Sequence, residues 1–466
     1  MLYLYNSLTK KKELFKPRFN KKAELFVCGP TVYDYSHIGH AKTYINFDVI
    51  VKYLKYQGYK VFYLQNITDI DDKIINRANE NNQNPLELSK QFADAYFEDI
   101  KKLKITSVNK YAFASDFIPV IIKQIKTLIQ KGFAYESNGS VYFEVSKFKD
   151  YGKLSGQSFA KLKKAVQIEP DPNKRRDFDF ALWKKAKPDE PNWESSWGKG
   201  RPGWHIEDTA ISERYFGPQY DIHGGANELK FPHHEAEIAQ QESASGKKPF
   251  VKYWLHTGVL EVAGEKMSKS LGNFLTIREF LKFYSPEDFR LLTLQHHYRK
   301  PLKYSENSIK QAAEAIRKIK QTIERLKIAA ASQKKIAEKQ TLKLNELEQK
   351  FQKAMNDDFN TSRALAIFFN FIKKINIILD RNSLSKSDGR TAFSFIKIFD
   401  KIFGIIPLSS ETKIPGIIRE LAEQRETLRK QEKWETADKI REEIQKKGWD
   451  IRDKEKGYEL ESLIKN

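Results

Sequence analysis

The stretch Leu25-Phe-Val-Cys-Gly-Pro-Thr-Val-Tyr-Asp-Tyr-Ser-His-Ile-Gly-His40 constrains the fold of this chain more than any other. Its apolar opening, Leu25 to Val27, predicts a buried strand. Gly29-Pro30 ends that strand, because proline has no N–H to give to a ladder. His37 and His40 follow, one turn apart, at the start of a helical pattern carrying Ile45, Val49, Ile50 and Leu54. Strand, loop and helix start in that order make a nucleotide site in α/β folds, because a helix N-terminus offers free N–H groups and a positive dipole end. Gly58 predicts the end of a helix over 40–57, and Val61–Ile67 reads as a second strand. The whole is one βαβ unit with parallel strands.

Further along, 85–103 reads as a helix and the chain changes character at about residue 111. A helix over 119–129, an alternating strand at Val141–Val145 and a polar, lysine-rich run to Asn192 predict an insertion between two halves of an α/β domain. The α/β pattern resumes from Trp204, with a helix over 232–246. From Tyr304 the chain reads as helices, at 309–326, 345–355 and 361–379. Pro407 and Pro415 flank a linker, followed by a helical hairpin over 417–447 and a short strand at Trp449–Ile451.

The 466 residues exceed a single small domain. No apolar run is long enough to span a bilayer and no signal peptide is evident, so no membrane association is expected. A single cysteine forms no internal disulfide, which fits a reducing, cytoplasmic setting. The net charge of +21 favours a polyanionic partner, although the excess is spread along the chain and names no site.

Two motifs carry chemistry. In His37-Ile-Gly-His40, Gly39 lets a phosphate or flat ring approach the backbone, and the imidazoles can donate to charge that develops in a transition state. Taken alone, a His-x-x-His pair is equally a surface or core pair. Lys266-Met-Ser-Lys-Ser270 is a cationic loop suited to phosphates, or else a solvated turn.

Together, in this order and spacing, the two motifs resemble the signature of class I aminoacyl-tRNA synthetases. Cys28–Asp34, Asn66–Lys73, Phe180–Lys184, Gly203–Glu207, Phe231–Glu235 and Met355–Thr361 are similar to blocks of the cysteinyl-tRNA synthetase family in particular. The resemblance runs from near residue 1 to about 455. It implies an α/β fold: a split Rossmann-like parallel-sheet catalytic domain (1–110 and 191–255) around an insertion (111–190). A stem-contact region with the lysine loop (256–303), an α-helical bundle (304–400) and a small anticodon-binding domain (401–466) would follow. The implied reaction activates L-cysteine with ATP, accompanied by Mg²⁺, and passes it to the 3′ end of tRNA(Cys). The implied protein is a cytoplasmic monomer.

By the same resemblance His37, His40, Lys266 and Lys269 would serve catalysis, and Gly39, Ser268 and Glu228 would join them around ATP. Cys28, Gly29, Thr68, Trp204 and His223 would line the cysteine pocket. Zinc would be held by Cys28, Asp208, His233 and Glu237, with Asp208 standing where the family usually has cysteine. Either the metal is kept with an aspartate ligand, or it is lost and the pocket reads cysteine by shape and polarity. Glu228 stands where the family commonly has aspartate, and Lys42 where it has arginine. Trp204 reads equally as core. Trp449 and Arg452 are candidates for anticodon bases, with Trp449 equally a core anchor. Two other readings remain: a ligase that gives cysteine to a small amine, and a non-catalytic tRNA-binding paralogue. Residues 401–466 weigh against the first and the intact motifs against the second.

Overall fold

The computed structural model describes residues 1–157, 171–262, 265–266, 274–331, 342–406, 416–447, 449–453 and 457–462. Its centre is a five-stranded sheet built of β1 (Lys22–Val27), β2 (Lys60–Ile67), β3 (Lys110–Phe113), β4 (Tyr220–Ala226) and β5 (Val251–Thr257). The spatial order is β5-β4-β1-β2-β3, and every neighbouring pair is parallel. The order reverses between β1 and β4. Open parallel sheets bind their ligands at such a switch point, beyond the carboxyl ends of the strands.

Strand alternation sorts the side chains of β1. Leu25 and Val27 enter the core shared with α1 (Ile38–Tyr56) and the C-terminal helices. Phe26 and Cys28 enter the opposite core, with α2 (Ile206–Phe216), α3 (His233–Ser245) and the insertion. One strand thus feeds two compartments. The sheet is apolar on both faces because helices cover both.

The insertion is a four-stranded antiparallel sheet of Ala134–Ser137, Ser140–Phe143, Phe180–Lys185 and Gly200–Pro202. Its limits differ from 111–190. Lys110–Phe113 pairs with β2 and belongs to the parallel sheet, while Gly200–Pro202 still pairs with Phe180–Lys185. Inside that lysine-rich run the adjacent Leu182 and Trp183 are both buried in the core, and the strand forms around them.

The C-terminal half packs helices Glu306–Ala331, Leu344–Met355, Thr361–Asp380 and Lys386–Phe403 around a phenylalanine-rich core. Lys386–Phe403 runs unbroken across the expected boundary at 400. Beyond it, helices Gly416–Lys430 and Trp434–Lys446 pack on a hairpin of Trp449–Asp453 and Tyr458–Ser462. Trp449 lies in that unit's own core with Ile418, Ala422, Ile444 and Ile451. Its buried ring is an anchor and has no free face for a base. Arg452 is exposed, with Asp450 at 3.4 Å.

Candidate active site

The loop after β1 is held by close backbone packing. A Cβ on Gly29 would lie 1.7 Å from the carbonyl oxygen of Asn66, so only glycine fits there. The Gly29 N–H donates to Asn66 Oδ1 at 2.6 Å, and Thr31 pairs with Thr68 beyond the end of β2. These contacts aim Cys28 and the following loop over the carboxyl edge of the sheet.

His37 is the N-cap of α1. Its Nδ1 accepts from the backbone N–H groups of Gly39 (3.1 Å) and His40 (3.4 Å), while His40 Nδ1 accepts from the N–H of His37 at 3.4 Å. The cap fixes the tautomers: with both Nδ1 atoms accepting, both protons sit on Nε2. The two rings stack with centroids 3.8 Å apart. His40 is held down to about 4, first by burial and then by the charge of Lys73. His40 is therefore neutral near pH 7 and presents an N–H donor.

The chain leaving the lysine motif is tied to this cap. Ile38 N–H donates to Leu275 O at 3.1 Å, Ile277 N–H donates to Ser36 O at 2.9 Å, and Phe274 packs edge-on against His37. The backbone of Lys266 pairs with Glu261. Ser268 and Lys269 lie outside the described residues. Lys42 is buried, with its amine 2.5 Å from Gly258 O, and burial lowers it to about 7. Glu228 is exposed in the turn Asn227–Lys230 directly after β4.

A second pocket lies on the other face of β1. Cys28 Sγ is 3.2 Å from His223 Nε2 and 3.1 Å from His234 Nε2. His233 Nε2 is 3.0 Å from Glu237 Oε1 and 3.1 Å from Asp208 Oδ2. His233 and Glu237 share one face of α3, as four-residue spacing requires. Register places His223 of β4 beside Phe26 of β1 and Trp254 of β5. Trp204, expected either in this pocket or in the core, is 39% exposed and stacks on His233 at 4.5 Å, as a cover. Thr68 donates to Glu207, one residue before Asp208.

This pocket fits a metal ion. Donor atoms of Cys28, His233, His234 and Glu237 all lie within 4.8 Å of one another. Asp208 Oδ1 and Glu237 Oε2 are buried without hydrogen-bond partners, a costly state that a cation would relieve. Burial, then Asp208 and Glu237, push the Cys28 thiol well above its ordinary range. Burial, then Asp208 and Glu207, do the same to the Glu237 carboxyl. Imidazole and carboxylate donors beside a sulfur suit a borderline divalent ion. Of the expected ligands, Cys28, His233 and Glu237 fall in the tight group, and Asp208 lies beside it, its Oδ2 on the same His233 Nε2 that faces Glu237, while His233 Nδ1 is 2.9 Å from His205 Nδ1.

His234 was not foreseen in this group. Neither was His256, whose Nε2 is 2.8 Å from His234 Nδ1 and whose Nδ1 is 2.8 Å from Ser7 Oγ. The signal was there in part: Trp254 and His256 are two apart on one strand and share a face. Using it required the strand order.

The fold and both motifs define a class I tRNA synthetase. The family model "tRNA synthetases class I (C) catalytic domain" matches residues 14–314, and the DALR domain model matches 350–407. The fold is similar to that of Mycobacterium tuberculosis methionyl-tRNA synthetase in complex with methionyl-adenylate. The TM-score is 0.60 at 14% identity, covering 82% of this chain and 90% of that one. Within that class, the chain is 48% identical to a cysteine–tRNA ligase of Thermococcus gammatolerans over 97% of its length and 98% of the relative's. It is 46% identical to one of Methanococcus maripaludis, over 98% of each chain. The chain belongs to the cysteine–tRNA ligase family.

Proposed function

We propose that this chain attaches L-cysteine to tRNA(Cys). The cysteine carboxylate attacks the α-phosphorus of ATP and pyrophosphate leaves. A ribose hydroxyl at the 3′ end of the tRNA then takes the cysteinyl group from AMP. The observation that carries the reading is that one stretch, Cys28–His40, serves both a phosphate-binding helix cap and a buried pocket of donors.

His37 and His40 offer Nε2–H donors at a helix N-terminus, where the α-phosphate gains charge in the transition state. No side chain need become a nucleophile; positioning and charge stabilisation suffice. The lysine motif, with Lys266, Ser268 and Lys269, takes the β- and γ-phosphates that Mg²⁺ accompanies. The segment that follows it, Phe274–Ile277, is bonded to the His37 cap.

The second pocket holds the amino acid between Gly29, Thr68, Trp204 and His223. Zinc is the metal that Cys28, His233 and Glu237, with Asp208 or His234, would hold. When bound, it supplies a soft contact that favours a sulfur over the hydroxyl of serine. Glu207 braces Thr68, and Trp204 stacked on His233 limits water at the mouth. The reading also takes the chain as a cytoplasmic monomer. Among the described residues no helix is long and apolar enough to cross a membrane.

Cysteine-dependent ATP–pyrophosphate exchange tests the first step, and acid-stable charging of tRNA(Cys) tests the second. Exchange without charging points to an amine acceptor. Absence of both leaves only a binding protein.

A further inference from the structure

The His37 cap is braced from outside by a second cap. His37 is extended (φ −102°, ψ 166°), as an N-cap must be, and an antiparallel bridge to Thr276 fixes that conformation. The residues on either side of His37 complete the bridge: Ile277 N–H donates to Ser36 O, and Ile38 N–H donates to Leu275 O. Thr276 is itself the N-cap of the helix Ile277–Phe283. Its Oγ1 accepts from Glu279 N–H at 3.2 Å, and Glu279 Oε2 accepts from Thr276 N–H at 3.0 Å. The two caps thus stand back to back. A helix of 7 residues has too few hydrogen bonds to hold itself in place, so the brace is only as firm as what anchors that helix.

Ile277 and Phe280 seat the helix in the core, and Arg278 ties it to its surroundings. Arg278 Nη2 donates to Ala95 O at 3.2 Å and lies 3.3 Å from Asp99 Oδ1 and 3.5 Å from Glu98 Oε2, all on the helix Pro85–Lys102. The guanidinium also lies over the Tyr35 ring at 4.4 Å, and that ring meets Phe92 of the same helix edge-on at 5.1 Å. Tyr35 stands two residues before His37. One guanidinium therefore joins two helices and the cap loop. The Asp99 carboxylate is fully buried, so the pair's attraction is spent largely against desolvation and leaves little net stability. What the fork and the flat stack fix is orientation.

We infer that Arg278 is a positioning residue for His37: by clamping the Thr276 cap and the Tyr35 loop against the helix Pro85–Lys102, it holds His37 in the extended conformation that aims the two Nε2–H donors at the α-phosphate. The inference rests on the tRNA-ligase reading above and adds to it a residue that acts through the cap. Phe274, edge-on to the His37 ring, belongs to the same brace.

The test is cysteine-dependent ATP–pyrophosphate exchange by the full chain, for wild type, R278Q, R278K and Y35L, each also combined with His37→Ala. R278Q should lower kcat by about 10- to 100-fold, as an ångström-scale misplacement of a catalytic group does. KM for cysteine, which is bound on the other face of β1, and affinity for tRNA(Cys) should stay within about twofold. In the His37→Ala background the same change should cost less than about twofold, because the ring it positions is gone. R278K keeps the charge without the fork and should recover at most part of the loss. Y35L keeps the Asp99 pair and should show the same pattern at smaller size; it carries the test if R278Q does not fold. An unchanged kcat overturns the inference, as does an equal loss with and without His37. Full recovery in R278K overturns it too, since charge and not orientation is then the cause. A parallel fall in kcat, cysteine binding and tRNA affinity marks a loosened fold and also overturns it. Failure of the underlying reading looks different: wild type itself would show no cysteine-dependent exchange.

Discussion

The histidine cap at the start of α1 and the donor pocket beneath Cys28 hang from the same strand, yet they are built in opposite ways. The cap is local. His37, Gly39 and His40 make each other's hydrogen bonds, and the rings stay partly open to solvent. The donor pocket is assembled from β1, α2, β4 and α3, with β5 behind it, and its groups are almost wholly buried. Phosphate is a large, hydrated anion and needs an accessible ring of neutral or positive donors. A thiol is small and poorly told from a hydroxyl by shape, so its recognition calls for a dry site and a soft contact. The two halves of one substrate complex therefore place opposite demands on burial, and strand alternation at β1 meets both.

Chelating the proposed zinc is the harshest way to break this comparison. Elemental analysis should find about one zinc per chain. Chelation should reduce cysteine-dependent exchange by ~10³-fold, as loss of an interaction of several kcal/mol implies. Re-addition of zinc should restore it. A metal-free preparation with full activity and full rejection of serine would mean that shape and polarity alone read the thiol.

His40→Ala tests the other pocket. Loss of one preorganised donor should slow adenylate formation by about 10²- to 10³-fold while leaving zinc content and tRNA affinity alone. The pH dependence has a definite sign. The folded-state pKa of His40 is lowered to about 4, so the ring stays neutral above that value and gains a proton only as pH falls through it. The ratio of wild-type to His40→Ala rates should therefore be flat from roughly pH 6 to 8. A step near the ordinary histidine value would show that the ring works as a charged group.

The same contrast explains how much could be read from the sequence. The cap, its helix and the βαβ unit were legible because every determinant lies within a few residues. Cys28, His233 and Glu237 were legible through family blocks and helical spacing. His234 and His256 were not, because their convergence depends on β4 and β5 lying beside β1. Helix Lys386–Phe403 hid for a local reason. Its start, Ser385-Lys-Ser-Asp-Gly389, carries no apolar residue, and Ser385 caps the helix by accepting from Asp388 N–H at 2.9 Å. Trp449 reads from the sequence equally as a base contact or a core anchor, and the small C-terminal unit uses it as core.

Asp208→Asn probes the border between ligand and support. Asp208 Oδ2 reaches His233, while its Oδ1 has no partner. If the carboxylate only orients His233, the amide should weaken zinc binding about 10- to 100-fold, with one metal per chain still reached at excess zinc. Loss of stoichiometric binding at any zinc concentration would make Asp208 a ligand and move His234 to the supporting shell.

Trp204→Ala should have the smallest effect, because Trp204 covers the donor pocket without belonging to its floor. At 39% exposure its ring stacks on His233 and contributes no donor to the metal group. Its removal should admit water and loosen the substrate, raising KM for cysteine by roughly tenfold with kcat in exchange little changed, the pattern of lost uniform binding. Zinc content should stay at one per chain. A fall in kcat as large as that of His40→Ala would mean that the cover acts in the transition state, and the division between an open phosphate cap and a sealed thiol pocket would have to be redrawn around Trp204.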